Sequence, residues 1–229
     1  MKYRAELEKA VSIEKVRISK YQEFMEVILR NLDGVCIDIG CGPGLRMKFF
    51  KPLVKKLIGV DISERRLKEA KSSNPEVVFI ICDARKLPFK NETFDTVLSL
   101  EMIEHLPDYL SQKLFFQEVK RIFKPGGKFI VSTPNSPIFK LYCILTKERY
   151  PTHFSELNYF QFRLRLKNHF EDVKIYGQFG WLSPIYRFKI VKKIHSCLSK
   201  LLPLCKGLLA VCRKGKNILA IENSLIITL

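Results

Sequence analysis

The chain has 229 residues, of which 47% are hydrophobic, so it can bury the core of one α/β domain and is too apolar to be largely disordered. Its formal net charge is +17. Residues 136–229 hold 16 Lys and Arg residues against 5 Asp and Glu residues. This excess favours an anionic partner, although a solvated basic surface would also account for it.

The cysteines and the hydropathy pattern predict the compartment. Seven cysteines are scattered without a C-x-x-C pair, which is typical of a reduced protein without a disulfide framework or a zinc site. The first residues are charged and mixed, unlike a signal peptide, and no apolar run reaches the roughly 18 residues of a membrane-spanning helix. We therefore expect a cytoplasmic protein.

The N-terminal part predicts a helix, a strand and a glycine-rich turn. Apolar residues recur at helical spacing within residues 3–31. The short apolar strand Val35–Ile39 then runs into Gly40, Gly42 and Gly44. Alternate glycines let a backbone pass close to a ligand, and the G-x-G-x-G spacing differs from both the dinucleotide fingerprint and the phosphate-binding loop. The turn is a candidate cofactor-binding loop.

Acidic residues follow the next two predicted strands. A strand over residues 57–60 ends at Asp61, about 20 residues beyond the glycines, where nucleoside-binding α/β folds place an acid that accepts hydrogen bonds from ribose. The alternative role of Asp61 is that of an acid at a helix N-terminus. A third strand over residues 77–81 precedes Asp83, which by itself resembles a turn residue.

The middle of the chain carries the candidate chemistry. A strand over residues 94–100 is followed by Glu101, Glu104 and His105 in an E-x-x-E-H pattern. These side chains converge if the segment forms one helical turn. Such groups can take a proton from a hydroxyl group or bind Mg²⁺, Mn²⁺ or Zn²⁺. A helix over residues 109–123, a K-P-G-G turn and a fifth strand over residues 128–133 come next.

Four motifs occur in order between residues 35 and 135: D-I-G-C-G-P-G, F-D-x-V, E-x-x-E-H and K-P-G-G-x-F-I-x-S-T-P-N. This series resembles the class I S-adenosylmethionine-dependent methyltransferases. The resemblance implies an α/β, Rossmann-like doubly wound fold, with helices on both faces of a mostly parallel seven-stranded sheet. The implied strand order is 3-2-1-4-5-7-6, with the seventh strand antiparallel.

The resemblance also implies one methyltransferase domain over residues 1–229. Residues 1–34 would form an N-terminal helical cap, residues 35–135 the cofactor-binding core, and residues 136–229 a basic region on the substrate side. The cofactor would be S-adenosylmethionine, with its methionine moiety near Asp38. The predicted cofactor-binding residues are Asp38, Gly40, Cys41, Gly42, Gly44, Asp61 for the ribose, Ile62, Asp83 and Ala84 for the adenine, and Leu100.

Two subfamilies share the catalytic motif. E-M-I-E-H-L-P-D, S-T-P-N and the later His153 resemble the ubiquinone-pathway O-methyltransferases, and E-x-x-E-H with a distant histidine also resembles small-RNA 2′-O-methyltransferases. Both imply a divalent metal on Glu101, Glu104, His105 and His153, which are our candidate catalytic and metal-binding residues. In other methyltransferases with this motif the histidine is a base or a helix cap, and His153 also fits a capping or packing role. We expect His169 and His195 to be structural.

The C-terminal part predicts a helix over residues 155–167 and a strand over residues 172–176. The last strand is either Leu208–Cys212 or Ser224–Leu229. Residues 181–213, which include the first of these two candidates, place lysines among apolar residues at helical spacing. This pattern predicts a basic amphipathic segment that packs on the sheet, binds an anionic membrane or covers the substrate.

The predicted function is transfer of a methyl group to an oxygen, before a nitrogen or carbon, of a small or lipophilic acceptor. An RNA 2′-O-methyltransferase is the alternative enzyme, which the charge favours. A protein with this fold that binds S-adenosylmethionine or a partner without catalysis is the alternative of another class. The expected location is the cytoplasm, with a membrane surface as a further site of binding.

Overall fold

The protein, described by a computed structural model over residues 22–147, 149–178 and 205–214, contains one seven-stranded sheet. Its strands are β1 (Val35–Ile39), β2 (Lys56–Asp61), β3 (Val78–Ile81), β4 (Phe94–Leu100), β5 (Phe123–Pro134), β6 (Asp172–Gln178) and β7 (Gly207–Arg213). Its helices are α1 (Gln22–Asn31), α2 (Met47–Phe50), α3 (Glu64–Ser73), α4 (Tyr109–Ile122), α5 (Ser136–Thr146) and α6 (Tyr159–Lys167). Short 3₁₀ turns lie at Lys51–Leu53 and Ile103–His105.

The strand order is β3-β2-β1-β4-β5-β7-β6, as predicted. β1 to β5 pair in parallel with one another, and β7 pairs antiparallel with both β5 and β6. The parallel strands therefore end at one edge of the sheet, where ligands bind in open α/β folds. The candidate strand Leu208–Cys212 is confirmed as the antiparallel strand, with the bounds of β7, and Ser224–Leu229 lies outside the described residues.

The two faces of the sheet carry separate halves of the core, because successive side chains of a strand point to opposite faces. On one face, Leu98 of β4 lies in a buried cluster with Phe24 and Leu29 of α1. On the other face, Val97 lies in a cluster with Phe116 of α4 and residues of α6. Helices thus cover both faces, which confirms the predicted doubly wound fold.

Three elements differ from the predictions: the start of α6, the form of the K-P-G-G turn and the presence of α5. α6 begins at Tyr159, since the side chain of Asn158 accepts a hydrogen bond from the Gln161 N–H and forms a capping box. The K-P-G-G turn is a four-residue irregularity inside β5, where pairing with β4 shifts register. α5 was not predicted; Pro137 occupies its first turn, where a missing N–H costs nothing.

The amphipathic segment predicted over residues 181–213 is wrong at its C-terminal end. Residues 207–213 form β7, which lies between β5 and β6 and is buried except at Arg213. A surface helix therefore cannot extend through them, and residues 181–204 lie outside the described part of the chain. Within that part, no helix combines the length and low polarity needed to cross a bilayer. The division into residues 1–34, 35–135 and 136–229 stays a prediction.

Asp95, from the F-D-x-V motif, joins three elements at the opposite edge of the sheet from the carboxyl ends. Its Oδ2 accepts a hydrogen bond from the N–H of Val35, at the start of β1, at 2.8 Å. Its Oδ1 lies 2.8 Å from the Lys124 ammonium in the irregular part of β5. Asp95 therefore has a structural role that needs no ligand.

Replacing Asp95 by alanine should lower the free energy of unfolding by about 1–3 kcal/mol, because the Val35 N–H loses its acceptor. Urea denaturation followed by circular dichroism measures this change. Lys113→Ala, at an exposed position of α4, is the control and should shift the stability by less than about 0.5 kcal/mol. Equal stability of both variants would contradict the structural role.

Candidate functional site

The glycine loop turns sharply after β1 and returns against β2. Gly40 has φ 74° and donates its N–H to the Val60 carbonyl at 2.8 Å. A Cβ at this position would lie 2.3 Å from Cγ of Met102, so only glycine fits. Gly42 and Gly44 also have positive φ, at 55° and 70°. The loop thus needs the glycines that the motif supplies.

Asp61, at the end of β2, fixes the loop from the other side. Its Oδ2 accepts the Gly42 N–H and its Oδ1 accepts the Ser63 N–H, both at 2.9 Å. Each carboxylate oxygen can accept a second hydrogen bond. Asp61 is therefore buried and oriented while keeping capacity for a ligand hydroxyl.

A cleft of about 240 Å³ opens at the carboxyl edge of the sheet. Seven predicted site residues line it: Gly40, Asp61, Ile62, Asp83, Ala84, Glu101 and His105. The other lining residues were not predicted: Ile39, Val60, Arg66, Cys82, Arg85, Met102, Leu106 and Pro107. Most of these are chain neighbours of predicted residues, so extending each motif by one or two positions would have found them; Arg66 carried no such signal.

The remaining predicted cofactor residues lie behind or beside the cleft. Leu100 is buried in the core cluster beneath α1 and does not line the cleft. Asp38, Cys41, Gly42 and Gly44 also lie outside the cleft lining. Their assignment to the cofactor stays a prediction.

Asp83 is held by a residue two positions along the chain. The Arg85 guanidinium bonds both carboxylate oxygens, with Nη2 at 2.6 Å from Oδ2, and its Nη1 contacts Oγ of Ser111. The hydrogen bond from Arg85 lowers the pKa of Asp83. Asp83 is therefore an ionised acceptor at the cleft wall, suited to an amino group.

Asp38 is unusual because it lies within a buried central strand. Its side chain is 3% exposed. Burial raises the pKa of Asp38 to about 6, Arg46 acts in the opposite direction, and Asp61 adds a further rise. An ionised carboxylate here has a free-energy cost that a cationic ligand could offset.

Glu101 begins the turn after β4 with a strained backbone. Its φ is 56°, in the left-handed region that few side-chain-bearing residues adopt. Its N–H donates to the carbonyl of Ser132, and the Ser132 hydroxyl donates to Oε1 of Glu101 at 2.6 Å. β5 therefore fixes both the backbone and the carboxyl group of Glu101. Burial raises the pKa of Glu101, against the effect of the Ser132 hydrogen bond.

Glu104 is fully buried in the 3₁₀ turn. Thr133 donates its hydroxyl to Oε2 at 3.2 Å, and Oε1 has no hydrogen-bond partner among the described residues. Burial raises the pKa of Glu104 well above its usual range, and repulsion from Glu101 adds to the rise. A buried oxygen without a partner indicates a position for a bound group.

Two imidazole rings meet beside Glu104. Nδ1 of His105 lies 2.9 Å from the Thr152 carbonyl, and Nδ1 of His153 lies 3.0 Å from Oε1 of Glu156. Carbonyl and carboxylate oxygens only accept, so Nδ1 is the donor in both contacts, and in a neutral ring the lone pair then lies on Nε2. Burial lowers the pKa of His105, which favours the neutral ring.

Three of the four predicted metal ligands come together. One ligand atom from each of Glu104, His105 and His153 lies within 4.8 Å of the other two. Glu101 is not part of this group, although it lines the cleft. His153 was predicted at the start of a helix, but it lies in the loop before α6.

Backbone hydrogen bonds join this loop to the 3₁₀ turn. The N–H groups of Phe154 and Ser155 both donate to the Glu104 carbonyl, at 3.0 and 3.1 Å. Gln112 of α4 donates to Ser155 Oγ at 2.7 Å and to the carbonyl of Ile103. Residues 50 positions apart in the chain are thereby kept in one cluster.

The predicted structural role of the two other histidines can be checked for one of them. His169 bonds the Arg165 carbonyl at 2.9 Å through Nδ1 and packs 5.3 Å from the Phe116 ring, which agrees with a structural role. His195 lies outside the described residues.

The sequence comparisons match the region that builds this edge of the sheet. Residues 37–131 match the family model of a methyltransferase domain. A ubiquinone biosynthesis O-methyltransferase of Rhizobium etli is 34% identical over 111 residues, 46% of this chain and 44% of that protein. The sterol 4-C-methyltransferase strm-1 of Caenorhabditis elegans is 33% identical over 102 residues, 42% of this chain and 30% of that protein. The chain thus matches less than half the length of these relatives.

The fold comparison agrees. A SAM-dependent methyltransferase from Archaeoglobus fulgidus superposes with a TM-score of 0.64 at 20% identity, covering 88% of this chain and 97% of that one. The predicted family resemblance and fold are confirmed. The two sequence relatives are named for methylation at oxygen and at carbon, so their names do not decide the acceptor atom.

Asp38 should make the stability of the protein pH-dependent. Because its folded pKa is raised from 3.8 to about 6, its stabilising contribution is complete below about pH 4 and is lost as the pH rises through 6. Relative to Asp38→Asn, the wild type should lose on the order of 2 kcal/mol between pH 4 and pH 7. Urea denaturation at several pH values measures the difference, and a constant difference would contradict the raised pKa.

Proposed function

Because residues 37–131 match a methyltransferase domain and form the core of a class I fold, we propose that this protein transfers a methyl group from S-adenosylmethionine to an oxygen of a small or lipophilic acceptor. The observation that carries the proposal is the position of His105. This residue lines the cleft and also belongs to the cluster with Glu104 and His153. A proton acceptor thus stands beside the space proposed for the cofactor.

The cleft suits S-adenosylmethionine in shape and charge. Gly40 provides a wall without a side chain, and Asp61 offers two oriented oxygens for the ribose hydroxyl groups. Asp83 and Ala84 line the part proposed for adenine, and Ile62, 70% exposed, offers an apolar surface beside it. When bound, S-adenosylmethionine supplies the methyl group on a sulfonium that leaves as the neutral thioether.

The residues of the cluster would control the acceptor proton. As the acceptor oxygen forms its bond to the methyl carbon, its proton passes to the Nε2 lone pair of a neutral imidazole, and the carbon–sulfur electron pair stays with sulfur. A carbon acceptor needs a different activation, and a free amine needs no base of this strength. The two imidazoles therefore support oxygen as the acceptor atom.

A divalent metal is the finer part of the proposal; when bound it would take the Nε2 lone pairs and would replace the imidazole as the group that activates the acceptor hydroxyl. Glu104, His105 and His153 would hold it, because two imidazoles and a carboxylate suit Zn²⁺ or Mn²⁺, and Oε1 of Glu104 is buried without a partner in the described chain. Such a metal lowers the pKa of a coordinated hydroxyl group. Glu101, outside the group of three, would orient the acceptor.

The surroundings of the cluster support a lipophilic acceptor. Phe154 follows His153 and is 66% exposed, and the rings of Phe139 and Tyr150 pack around His153. α5 continues from Phe139 with exposed apolar side chains at Leu141, Ile144 and Leu145. Cys36, Cys41, Cys82 and Cys212 are free thiols, which suits a reducing compartment such as the cytoplasm.

Removing Asp61 should weaken cofactor binding. Asp61→Ala is expected to reduce the affinity for S-adenosylhomocysteine by about 1–3 kcal/mol, through the loss of charge-assisted hydrogen bonds. Isothermal titration calorimetry measures the affinity, with Glu64→Ala as the exposed acidic control nearby. Unchanged affinity in Asp61→Ala would remove the ribose assignment. No binding by the wild type would favour the non-catalytic alternative.

The acceptor is identified by incubating the protein with S-adenosylmethionine labelled in its methyl group and an extract of the source cells. Label in the organic or small-molecule fraction supports the proposal, and the chemical shift of the methyl carbon in the product distinguishes attachment to oxygen, nitrogen or carbon. Label in RNA would replace the proposal by the RNA methyltransferase that the +17 charge favours.

With that acceptor, His105→Ala should lower kcat about 10²-fold to 10⁴-fold, because the proton acceptor is lost. His169→Ala is the matched control outside the cleft lining and should keep its turnover, although it loses the contact with Phe116. A chelator should lower turnover of the wild type, and added Zn²⁺ or Mn²⁺ should restore it. Full activity in the chelator would remove the metal and leave the histidine as a base.

A further inference from the structure

Glu156 lies directly behind His153, on the side of the ring that carries Nδ1. Its Oε1 is 3.0 Å from Nδ1, and the two side chains are 11% and 9% exposed. None of the sequence motifs includes Glu156, and it does not line the cleft. Placing a carboxylate and an imidazole where little water reaches them has a desolvation cost, which a well-aligned hydrogen bond can offset.

The carboxylate of Glu156 is itself fixed in place. Ser136, at the start of α5, donates its hydroxyl to Oε2 at 3.1 Å. The Ser136 N–H donates to the carbonyl of Leu157 at 2.9 Å, which attaches the loop backbone to the end of β5. Both oxygens of Glu156 therefore have a defined partner, and neither is free to rotate toward the cleft.

The ring of His153 is also held by its neighbours. Phe139 stacks on it at a centroid distance of 5.4 Å, and Tyr150 packs at 5.1 Å. The His105 ring meets its edge at 5.0 Å. With Phe139, Tyr150 and His105 packed around it and Nδ1 bonded, the ring keeps one orientation.

We propose that Glu156 is a positioning residue that keeps the proton of His153 on Nδ1, so that the Nε2 lone pair stays available to the cluster. This inference rests on the proposed function. His105 is held by the neutral Thr152 carbonyl, whereas Glu156 is an acid. A carboxylate oxygen only accepts hydrogen bonds, so this contact favours the tautomer with the proton on Nδ1 and leaves Nε2 facing the cluster without one.

The first test is the tautomer of His153, read from the ring nitrogen chemical shifts of the intact protein without any ligand. The chain has only four histidines, and His153→Ala identifies the resonance. The wild type should show a protonated Nδ1 and an unprotonated Nε2. In Glu156→Gln the amide can donate as well as accept, so a second population with a protonated Nε2 should appear.

The second test is kinetic and uses the acceptor found by methyl labelling. Glu156→Gln should lower kcat about 10-fold to 100-fold with little change in KM for S-adenosylmethionine, and Glu156→Asp should recover part of the loss. Glu171→Gln, at an exposed position outside the cleft, is the matched control and should behave as the wild type. A general loss of structure would instead lower the melting temperature of the variant.

The two tests separate this inference from the proposed function. A wild-type ring protonated on Nε2, or a tautomer and kcat that stay unchanged in Glu156→Gln, would overturn the positioning role even if methyl transfer is confirmed. The expected tautomer with no methyl transfer to any fraction would instead refute the proposed function, since the nitrogen shifts do not depend on turnover.

Discussion

Three hydroxyl groups at the end of β5 and the start of α5 each donate a hydrogen bond to a buried or half-buried carboxyl group. The pairs are Ser132 with Glu101, Thr133 with Glu104 and Ser136 with Glu156. Polar groups buried without partners would cost several kcal/mol each. These hydrogen bonds let the carboxyl edge of the sheet hold three acids close together, and the candidate site depends on them.

The S-T-P-N segment, at the end of the central strand β5, makes most of these hydrogen bonds. Adjacent residues of a strand point in opposite directions, yet the strand ends here and the following chain turns into α5. Asn135 continues the pattern: its amide donates to the Cys205 carbonyl and accepts the Tyr159 N–H. One short segment thus connects β4, the loop before α6 and the start of β7.

Residues that stabilise the fold and residues of the candidate site lie at opposite edges of the sheet. Asp95 fastens the amino end of β1 to the irregular part of β5 and takes no part in the cleft. At the carboxyl edge, Asp38 and Glu104 are buried with raised pKa values, which lowers stability at neutral pH. The hydrogen bonds of Asp95 stabilise the fold and can offset this loss of stability. A protein can thereby keep strained and poorly solvated groups where a ligand is to bind.

The sequence by itself determined most strands of the sheet, because buried parallel strands are continuous apolar runs and each ends in a recognisable turn, and the motifs implied the strand order through their family resemblance. It also predicted Gly40, Asp61 and the E-x-x-E-H residues as site residues, because their spacing is local. Only the tertiary structure decided that His153 joins Glu104 and His105, that Glu101 stays outside this group, and that residues 207–213 form a buried strand. Glu156 belongs to the same class. These outcomes depend on contacts between residues far apart in the chain, and local spacing carries no information about them.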